Sequence, residues 1–421
     1  MADALLRAAF WGAALALAYG YVGYPLLVAL VGAVRRRGVR QAPVTPTMSL
    51  VVAAYNEEDA IAARLDDALA ASYPAGALEV IVASDGSTDG TEAIAAVYAE
   101  RHPDRVRLLG LPRQGKIRAL DAAAQAARGE ILVFSDANIQ MHPGALRALA
   151  RNFADPEVGG VAGHATYRLP ADGEGSSRGE GLYWRYDTWL KEMESRTGSV
   201  VSAHGGLYAI RRALYQTPAE TAVTDDFAIS TAVIAQGRRL VFDRDALAYE
   251  LAVARADREF GRKVRLMTRG WRALAMRRAL LAPTRYGFYA VVLFSHKVLR
   301  RLLPLALLVL AAASAALAAR GGVYALAAWA QLVFCALAVL GWLARRSRLG
   351  RLKPLYVPFY YCLANAAAAV AFVRFLRGER VALWQPQRHG VQHGVQHGPQ
   401  HEVQHGVQHG VRHAARAGTA G

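Results

Sequence analysis

The segment Glu130-Ile-Leu-Val-Phe-Ser-Asp-Ala-Asn138 is the clearest structural signal in this chain. The apolar run from Ile131 to Phe134 predicts a fully buried strand of a parallel sheet. It ends in a small polar cluster that contains Asp136 and Asn138. Open α/β sheets bind ligands just beyond the carboxyl ends of their strands, and hard divalent cations prefer oxygen ligands. Asp136 and Asn138 are therefore candidate metal ligands, and a turn or a helix cap at Asp136 is the alternative.

Strands and helices are predicted to alternate around this segment. Short apolar runs indicate strands, and longer runs with helical periodicity indicate helices between them. Such alternation predicts an α/β fold with a doubly wound, mostly parallel sheet and right-handed crossovers. The predicted strands are Ser49–Ala53, Val80–Ala83, Val106–Leu109 and Ile131–Phe134, and the predicted helices are Glu57–Ala71, Thr91–Arg101 and Ile117–Ala127.

Polar residues follow the carboxyl ends of these strands and should converge on one edge of the sheet. Tyr55 and Glu57 follow the first strand, Asp85 the second and Lys116 the third. The Asp85 carboxylate can accept the N–H of a nucleobase, and a lysine that opens a helix is the expected partner of a phosphate. The alternatives are a turn with a helix cap at Asp85 and a solvated loop around Lys116.

The composition points to a membrane surface. The chain has 421 residues, of which 54% are hydrophobic, and a formal net charge of +17. Basic clusters at 35–40 and 345–353 adjoin apolar runs, which is the positive-inside pattern, so the charge favours membrane lipids over nucleic acid as partners. Both cysteines, Cys335 and Cys362, lie inside apolar runs and form neither a disulfide framework nor a metal motif.

Apolar runs define the predicted domain organisation. Ala8–Val34 is long enough to span a bilayer and ends in arginines rather than a cleavage site, so it predicts a retained anchor rather than a signal peptide. The tail repeats His-Gly-Val-Gln, and its glycines favour disorder. A slipped repeat is favoured there over a site for Zn, Ni or Cu. The predicted units are an N-terminal transmembrane anchor at 1–40, a linker at 41–47, a cytosolic α/β domain at 48–282, an interfacial amphipathic helix at 283–301, three transmembrane helices at 302–377 and the repeat tail at 378–421.

Two clusters in the second half of the domain provide further candidates. Asp225 and Asp226 start a predicted helix, where adjacent acids act as caps and dipole partners or as part of a catalytic site. Arg265 and Arg269 lie at helical spacing beside Trp271. This basic segment either faces an anionic ligand or lies on the membrane surface.

These motifs, in this order and at these distances, resemble the family 2 glycosyltransferases. The resemblance is closest to the membrane-embedded branch with a GT-A fold, which includes synthases of cellulose, hyaluronan and poly-N-acetylglucosamine. It covers roughly residues 48 to 281. The motifs that carry it are Ala54-Tyr-Asn-Glu-Glu58, Ser84-Asp-Gly-Ser-Thr-Asp-Gly90, Gly115-Lys116, Ser135-Asp-Ala-Asn138 and Thr224-Asp-Asp226.

The resemblance implies a nucleotide-sugar site at the sheet edge, with Mg²⁺ or Mn²⁺ as the cofactor. Asn138 stands where many members have a second aspartate, and this difference lowers the expected affinity for the metal held with Asp136. The residues implied for the donor are Tyr55, Glu57 and Asp85 for the nucleoside, Lys116 for the phosphates and Asp136 for the diphosphate and metal.

The resemblance also implies the catalytic and acceptor residues. Asp226 would be the general base that takes the proton of the acceptor hydroxyl, and Asp225 occupies the place of a glutamate. Processive relatives carry Gln-x-x-Arg-Trp, of which this chain keeps only the tryptophan, as Trp271. Arg265 and Arg269 could supply the missing positive charge toward the pyrophosphate, and the departure puts processivity in doubt.

The protein expected from these features is a membrane-bound, metal-dependent, inverting glycosyltransferase in the bacterial inner membrane, with a cytoplasmic catalytic domain. It would transfer a sugar from a nucleotide donor, expected to be a UDP-sugar, to a hydroxyl of a carbohydrate or lipid-linked acceptor. Polysaccharide or glycolipid synthesis is the expected process. Two alternatives stay open: an inactive nucleotide-sugar-binding membrane partner, and a nucleotidyltransferase on a similar sheet, which would release pyrophosphate.

Overall fold

The structure is a computed structural model that describes residues 1–168, 177–251, 256–345 and 347–380. The repeat tail predicted at 378–421 lies outside the described residues from position 381 onward. Within the described ranges, one sheet of eight strands forms the centre of the α/β domain. Its strands are β1 Met48–Ala54, β2 Leu78–Asp85, β3 Val106–Leu111, β4 Ile131–Asp136, β5 Ile139–Met141, β6 Val158–Arg168, β7 Tyr208–Arg211 and β8 Arg239–Leu251.

Helices cover the sheet and continue into apolar segments. The helix predicted at Thr91–Arg101 has the same bounds in the structure. The α-helices are α1 Ala2–Ala18, α2 Tyr24–Arg35, α3 Glu58–Leu69, α4 Thr91–Arg101, α5 Lys116–Ala126, α6 Ala145–Arg151, α7 Ser177–Thr197, α8 Asp225–Ala235, α9 Ala256–Met276, α10 Pro283–Tyr286, α11 Phe288–Leu293, α12 Arg300–Leu317, α13 Gly322–Ala344 and α14 Lys353–Leu376, and π-helical turns occupy Tyr19–Gly23 and Phe294–Leu299.

The strand order is β3-β2-β1-β4-β7-β6-β8-β5. The first four strands in this order are parallel neighbours, as the alternation of strands and helices predicts. Beyond them, β7 pairs antiparallel with β4 and with β6, β6 pairs parallel with β8, and β5 pairs antiparallel with β8. The prediction of a doubly wound, mostly parallel sheet is therefore confirmed, with antiparallel pairings confined to its second half.

Side chains of β1 alternate between two cores because successive residues of a strand point to opposite faces. Val51 and Ala53 lie in a core that also contains residues of α2, α5 and α8. Leu50 and Val52 lie in a second core with residues of α3 and α6. Every residue of β1 is buried, which explains why the strand appears as a continuous apolar run in the sequence.

The antiparallel strand β7 brings a glycine loop to the end of β4. Phe134 of β4 and Tyr208 of β7 stack with their ring centroids 4.9 Å apart. Ser135 Oγ donates a hydrogen bond to the carbonyl oxygen of Gly206 at 2.9 Å. As a consequence, the segment before β7 lies directly beside the last residue of β4, Asp136.

Four helical segments in the described part of the chain are long and apolar enough to cross a membrane. The sequence predicts an interfacial helix at 283–301 and a separate span from 302 onward, because His296 and Lys297 interrupt the apolar run. In the structure the helical segment continues from Phe288 to Arg320. The four segments are Ala2–Arg35, Phe288–Arg320, Gly322–Ala344 and Lys353–Leu376.

Glu194 of α7 joins the domain to two of these segments. Its Oε1 accepts a hydrogen bond from the Tyr24 hydroxyl at 2.5 Å and lies 2.6 Å from His296 Nδ1, and its Oε2 accepts the N–H of Val201 at 3.0 Å. Burial disfavours the charged carboxylate, but these contacts outweigh burial and lower the pKa of Glu194. The apolar segments are therefore attached to the domain through a buried polar network as well as through apolar packing.

Candidate active site

Lys116 links the two halves of the candidate active site. It is the first residue of α5, and the preceding Gly115 has a φ of 97°, a left-handed value that favours glycine. The Lys116 ammonium lies 2.6 Å from Asp136 Oδ1 and 2.9 Å from Asp225 Oδ2. Burial opposes the charge of Lys116, but the two carboxylates outweigh burial and raise its pKa. Lys116 is thus a fixed cation between the end of β4 and the start of α8.

Asp225 and Asp226, at the start of α8, have pKa values shifted in opposite directions. Burial disfavours the charged form of Asp225, but Lys116 outweighs burial and lowers the pKa of this carboxylate. Burial and the charge of Asp225 raise the pKa of Asp226 to about 6. Asp226 Oδ1 accepts the N–H of Phe227 at 2.7 Å. Asp225 is therefore neutralised by a lysine, whereas Asp226 can exchange a proton near neutral pH.

Gly205 lies between Asp136 and Asp226. A Cβ atom on Gly205 would stand 3.6 Å from Asp136 Oδ2 and 4.0 Å from Asp226 Cβ, so both acids border the same space. Beside it, His204 Nδ1 accepts the N–H of Gly206 at 3.2 Å. Burial lowers the pKa of His204 to about 4, so the ring is neutral and orders the glycine loop through its backbone.

Asp85 and Tyr55 lie at the ends of β2 and β1 and are linked through Arg113. Asp85 Oδ1 accepts two backbone N–H groups of residues 114–115 at 2.7 and 2.8 Å. Arg113 Nη1 donates to Asp85 Oδ2 at 2.7 Å, and its guanidinium lies 3.2 Å from the centroid of the Tyr55 ring. Asp85 therefore orders the loop that presents Lys116.

Glu57 lies near the same edge and precedes α3. Its backbone N–H donates to Thr91 Oγ1 at 2.8 Å. Burial and the charge of Asp136 raise the pKa of the Glu57 carboxyl to about 7. The structure thus brings together the donor residues that the sequence predicts, which are Tyr55, Glu57, Asp85, Lys116 and Asp136.

Asp136 and Asn138 present oxygen atoms at the turn between β4 and β5. Within the described ranges, no group of three or more His, Cys, Asp or Glu side chains is arranged to hold a metal ion. Mg²⁺ is commonly bound by one or two protein carboxylates together with substrate phosphates. One carboxylate and one amide oxygen fit this mode of binding, in which a nucleoside diphosphate supplies further ligands.

Arg269 contacts the backbone just before Asp225. Its Nε and Nη2 donate to the carbonyl oxygen of Val223 at 2.9 and 2.6 Å, and the side chain is buried. The guanidinium also stabilises the charged form of Asp225. Arg265 lies one turn earlier in α9 and is half-buried. Arg269 therefore positions the start of α8, a role that the spacing of basic residues alone did not predict.

Trp271 belongs to the interface between α9 and α14. Its ring lies 5.2 Å from that of Phe372 and 5.8 Å from that of Phe375, and the side chain is buried. The guanidinium of Arg301 lies 5.8 Å from the centroid of the Trp271 ring. The structure thus gives Trp271 a packing role in addition to the acceptor role implied for it.

Two cations that sequence reasoning did not assign to the site lie near Asp226. Lys297 stabilises the charged form of Asp226, and Arg301 is within electrostatic range of the same carboxylate. They are four residues apart in a helical segment that is apolar enough to cross a membrane and that also carries His296 and Arg300 at this end. Ionisable residues in such segments are commonly functional, and this is the signal that could have identified them.

The mixed sheet and its acidic edge define an α/β domain with the GT-A fold. The mannosyltransferase PcManGT from Pyrobaculum calidifontis, solved in complex with GDP-Man and Mn²⁺, matches with a TM-score of 0.68 and 27% sequence identity. The match covers 89% of this chain and 100% of that chain. The predicted fold class is therefore confirmed.

Residues 49–217 match the model of Glycosyl transferase family 2, the family that the motifs of the sequence resemble. A beta-monoglucosyldiacylglycerol synthase from Synechocystis sp. is 27% identical over 245 residues, which are 53% of this chain and 51% of the relative. A dolichyl-phosphate beta-glucosyltransferase from Drosophila melanogaster is 40% identical over 99 residues, which are 22% of this chain and 30% of the relative. The chain thus spans about half the length, or less, of these curated relatives.

Proposed function

We propose that the protein is a membrane-bound inverting glycosyltransferase that moves a sugar from a nucleotide sugar to a hydroxyl group of a lipid or carbohydrate acceptor. The observation that carries this proposal is the position of Asp136 and Asp226 on two sides of Gly205. Asp136 lies with Lys116 on the donor side, and Asp226 has a pKa raised to about 6. A leaving-group site and a proton acceptor therefore border one space, as a displacement reaction requires.

Asp226 is the proposed base. It takes the proton of the acceptor hydroxyl while the oxygen of that hydroxyl bonds to the anomeric carbon. The bond from the anomeric carbon to the diphosphate breaks, and its electron pair stays on the phosphate oxygen. Because the acceptor attacks opposite the leaving group, the anomeric configuration inverts. A pKa of about 6 leaves Asp226 ionised at neutral pH and more basic than an ordinary aspartate.

Lys116 and Asp136 are the proposed residues of the leaving-group side. The Lys116 ammonium stabilises negative charge on the diphosphate. Asp136 and Asn138 would hold Mg²⁺ or Mn²⁺, which would supply further neutralisation of the leaving group. Tyr55, Glu57 and Asp85 are the proposed nucleoside contacts, and a UDP-sugar is the proposed donor.

A lipid or lipid-linked acceptor is supported by the fold around the site. The names of two relatives contain diacylglycerol and dolichyl phosphate, and four apolar helical segments flank the domain within the described residues. The basic clusters at 35–40 and 345–353 adjoin these segments. We therefore place the protein in the bacterial inner membrane with its catalytic domain on the cytoplasmic side.

The test is release of nucleoside diphosphate by the full-length protein in lipid nanodiscs supplied with membrane lipid extract. The panel contains UDP-sugars and GDP-sugars, each with Mg²⁺, with Mn²⁺ and with chelator. We expect release from one donor and its loss with chelator. Nucleotide binding without release from any donor would contradict the proposal and support the inactive binding partner instead. Release of pyrophosphate would support a nucleotidyltransferase.

A further inference from the structure

Lys297 and Arg301 form a pair of cations whose charge is not neutralised by a direct partner. Arg301 lies within electrostatic range of Lys297 and disfavours its charge, whereas the more distant carboxylates of Asp226, Glu194 and Asp187 favour it. Among the described residues, no carboxylate forms an ion pair with either side chain. Arg301 Nη1 is buried and has no hydrogen-bond partner in the same part of the chain. Buried polar groups are normally satisfied, so this pair indicates an anionic ligand.

Arg301 lies in a slot formed by Gly270 and Trp271. A Cβ atom on Gly270 would stand only 2.9 Å from Arg301 Cζ, so the absence of a side chain there leaves room for the guanidinium. The guanidinium lies over the Trp271 ring, 5.8 Å from its centroid. Trp271 Nε1 is itself buried and lacks an acceptor among the described residues. Donors without acceptors therefore occur on both side chains that meet in this slot.

Lys297 lies in a π-helical turn that is attached to the domain. The turn spans Phe294–Leu299, and π-helical turns are frequent at functional sites. The turn is held because His296 Nδ1 lies 2.6 Å from Glu194 Oε1. The charge of Lys297 reaches Asp226, where it favours the ionised carboxylate.

The cations on the two sides of Asp226 differ in whether a carboxylate pairs with them. On the sheet side, Lys116 is paired with Asp136 and Asp225. On the other side, Lys297 and Arg301 reach Asp226 from a helical segment that is apolar enough to cross a membrane. In an inverting transfer the acceptor lies opposite the departing diphosphate. Cations without an ion-pair partner among the described residues therefore act on Asp226, the residue beside which we expect the acceptor to bind.

We propose that Lys297 and Arg301 form an acceptor subsite that binds a phosphate group carried by the acceptor next to its reacting hydroxyl. This inference rests on the proposed function. Guanidinium and ammonium groups bind phosphate oxygens with strong charge-assisted hydrogen bonds, and Arg301 supplies a planar fork of donors. The phosphate takes no part in bond making or breaking. Its binding holds the hydroxyl beside Asp226.

The experiment compares the full-length wild-type protein with Lys297→Gln, Arg301→Gln and the control Arg300→Gln in phosphatidylcholine nanodiscs. Arg300 is the matched control because it lies in the same helix and its charge acts on His296. One probe is phosphatidylglycerol, which carries a phosphate and a free hydroxyl, and its binding is measured by native mass spectrometry. The second probe is inorganic phosphate, measured by titration calorimetry. Affinity for the nucleoside diphosphates UDP and GDP is measured in parallel.

We expect Lys297→Gln and Arg301→Gln to bind the phosphate-bearing probe about tenfold or more weakly, with unchanged affinity for UDP and GDP. Arg300→Gln should bind all probes as the wild type does. Preference for phosphatidylglycerol would assign the subsite to a lipid headgroup, and equal binding of inorganic phosphate would assign it to free phosphate.

Two results would overturn the subsite. One is wild-type binding of both phosphate probes by Arg301→Gln and Lys297→Gln, and the other is weaker binding of UDP or GDP by these variants, which would place the cations on the donor side. Because binding is read without turnover, failure of the proposed sugar transfer and failure of this subsite are distinguishable.

Discussion

The donor and acceptor sides of the candidate site are built in different ways. On the donor side, Asp85 and Asp136 end β2 and β4, the two strands that flank β1 in the parallel part of the sheet. On the acceptor side, Asp226, Arg269 and Lys297 come from separate helical segments that meet through tertiary packing. Strand ends are set by local sequence, whereas the meeting of helices depends on the whole molecule. The two sides should therefore respond differently to substitution.

The largest effect should come from the acceptor side, at Asp226. The Asp226→Asn variant removes the proposed base, so we expect kcat for nucleoside diphosphate release to fall about 100-fold to 10,000-fold, with affinity for the nucleotide unchanged. Asp245→Asn is the matched control, because that carboxylate is 61% exposed and pairs with Arg151 away from the site. If Asp226→Asn turned over at the wild-type rate, Asp226 could not be the general base.

A smaller effect on stability and turnover should distinguish Arg269 from Arg265, two of the arginines of α9. Arg269→Gln removes the charged donors that bind the Val223 carbonyl oxygen. We therefore expect the free energy of unfolding to fall by about 1.5–3 kcal/mol and turnover to become slower. Arg265→Gln is the control and should change the stability by about 0.5 kcal/mol or less. Unfolding in detergent, followed alongside turnover, measures both quantities. Equal effects of the two substitutions would show that the backbone contact of Arg269 does not hold the acceptor side in place.

The pH dependence of kcat/KM should report the ionisation of Asp226 on the acceptor side. The pKa of Asp226 is raised to about 6 by burial and by Asp225, so the carboxylate is protonated and inactive below this pH and ionised above it. We expect kcat/KM to fall about tenfold per pH unit below about pH 6. The charged groups around Asp226 are Asp225, Lys116, Lys297 and Arg301.

A substitution of Lys297 sharpens this prediction. Because its ammonium stabilises the Asp226 carboxylate, Lys297→Gln should move the acid limb to higher pH. An acid limb at the ordinary pKa of an aspartate, unchanged in Lys297→Gln, would contradict the assignment of Asp226.

The smallest effect should appear where the two sides meet, at Gly205. Gly205→Ala adds a methyl group 3.6 Å from Asp136 Oδ2, an ordinary contact that the fold tolerates but that takes space from the ligand. We expect the affinity for nucleoside diphosphate with Mn²⁺ to fall about threefold to tenfold, or about 1 kcal/mol. Gly144→Ala, whose new Cβ would stand 3.5 Å from His142 Nδ1, is the control. Equal affinities in the two variants would show that Gly205 does not border the ligand.

The sequence predicts the donor side well because its residues follow recognisable apolar strands. Asp85, Lys116 and Asp136 all lie at the predicted sheet edge. The acceptor side is harder because its contacts join distant parts of the chain. The spacing of basic residues suggests that Arg269 could supply charge toward a pyrophosphate, but it says nothing about the contact of Arg269 with the Val223 carbonyl. Lys297 appeared to interrupt an apolar run, and only the folded helix shows that its charge reaches Asp226.

Through the shared carboxylate of Glu194, the helical segment Ala2–Arg35, which contains Tyr24, supports the domain and is more than a detachable anchor. A gene shortened to omit this helix would remove the Tyr24 hydroxyl and leave a fully buried carboxylate with one donor fewer. The loss of a buried hydrogen-bond donor destabilises the fold because water does not take its place. The disturbance would pass through His296 to the turn that carries Lys297, so recombinant production should keep the helix even when only the catalytic domain is wanted.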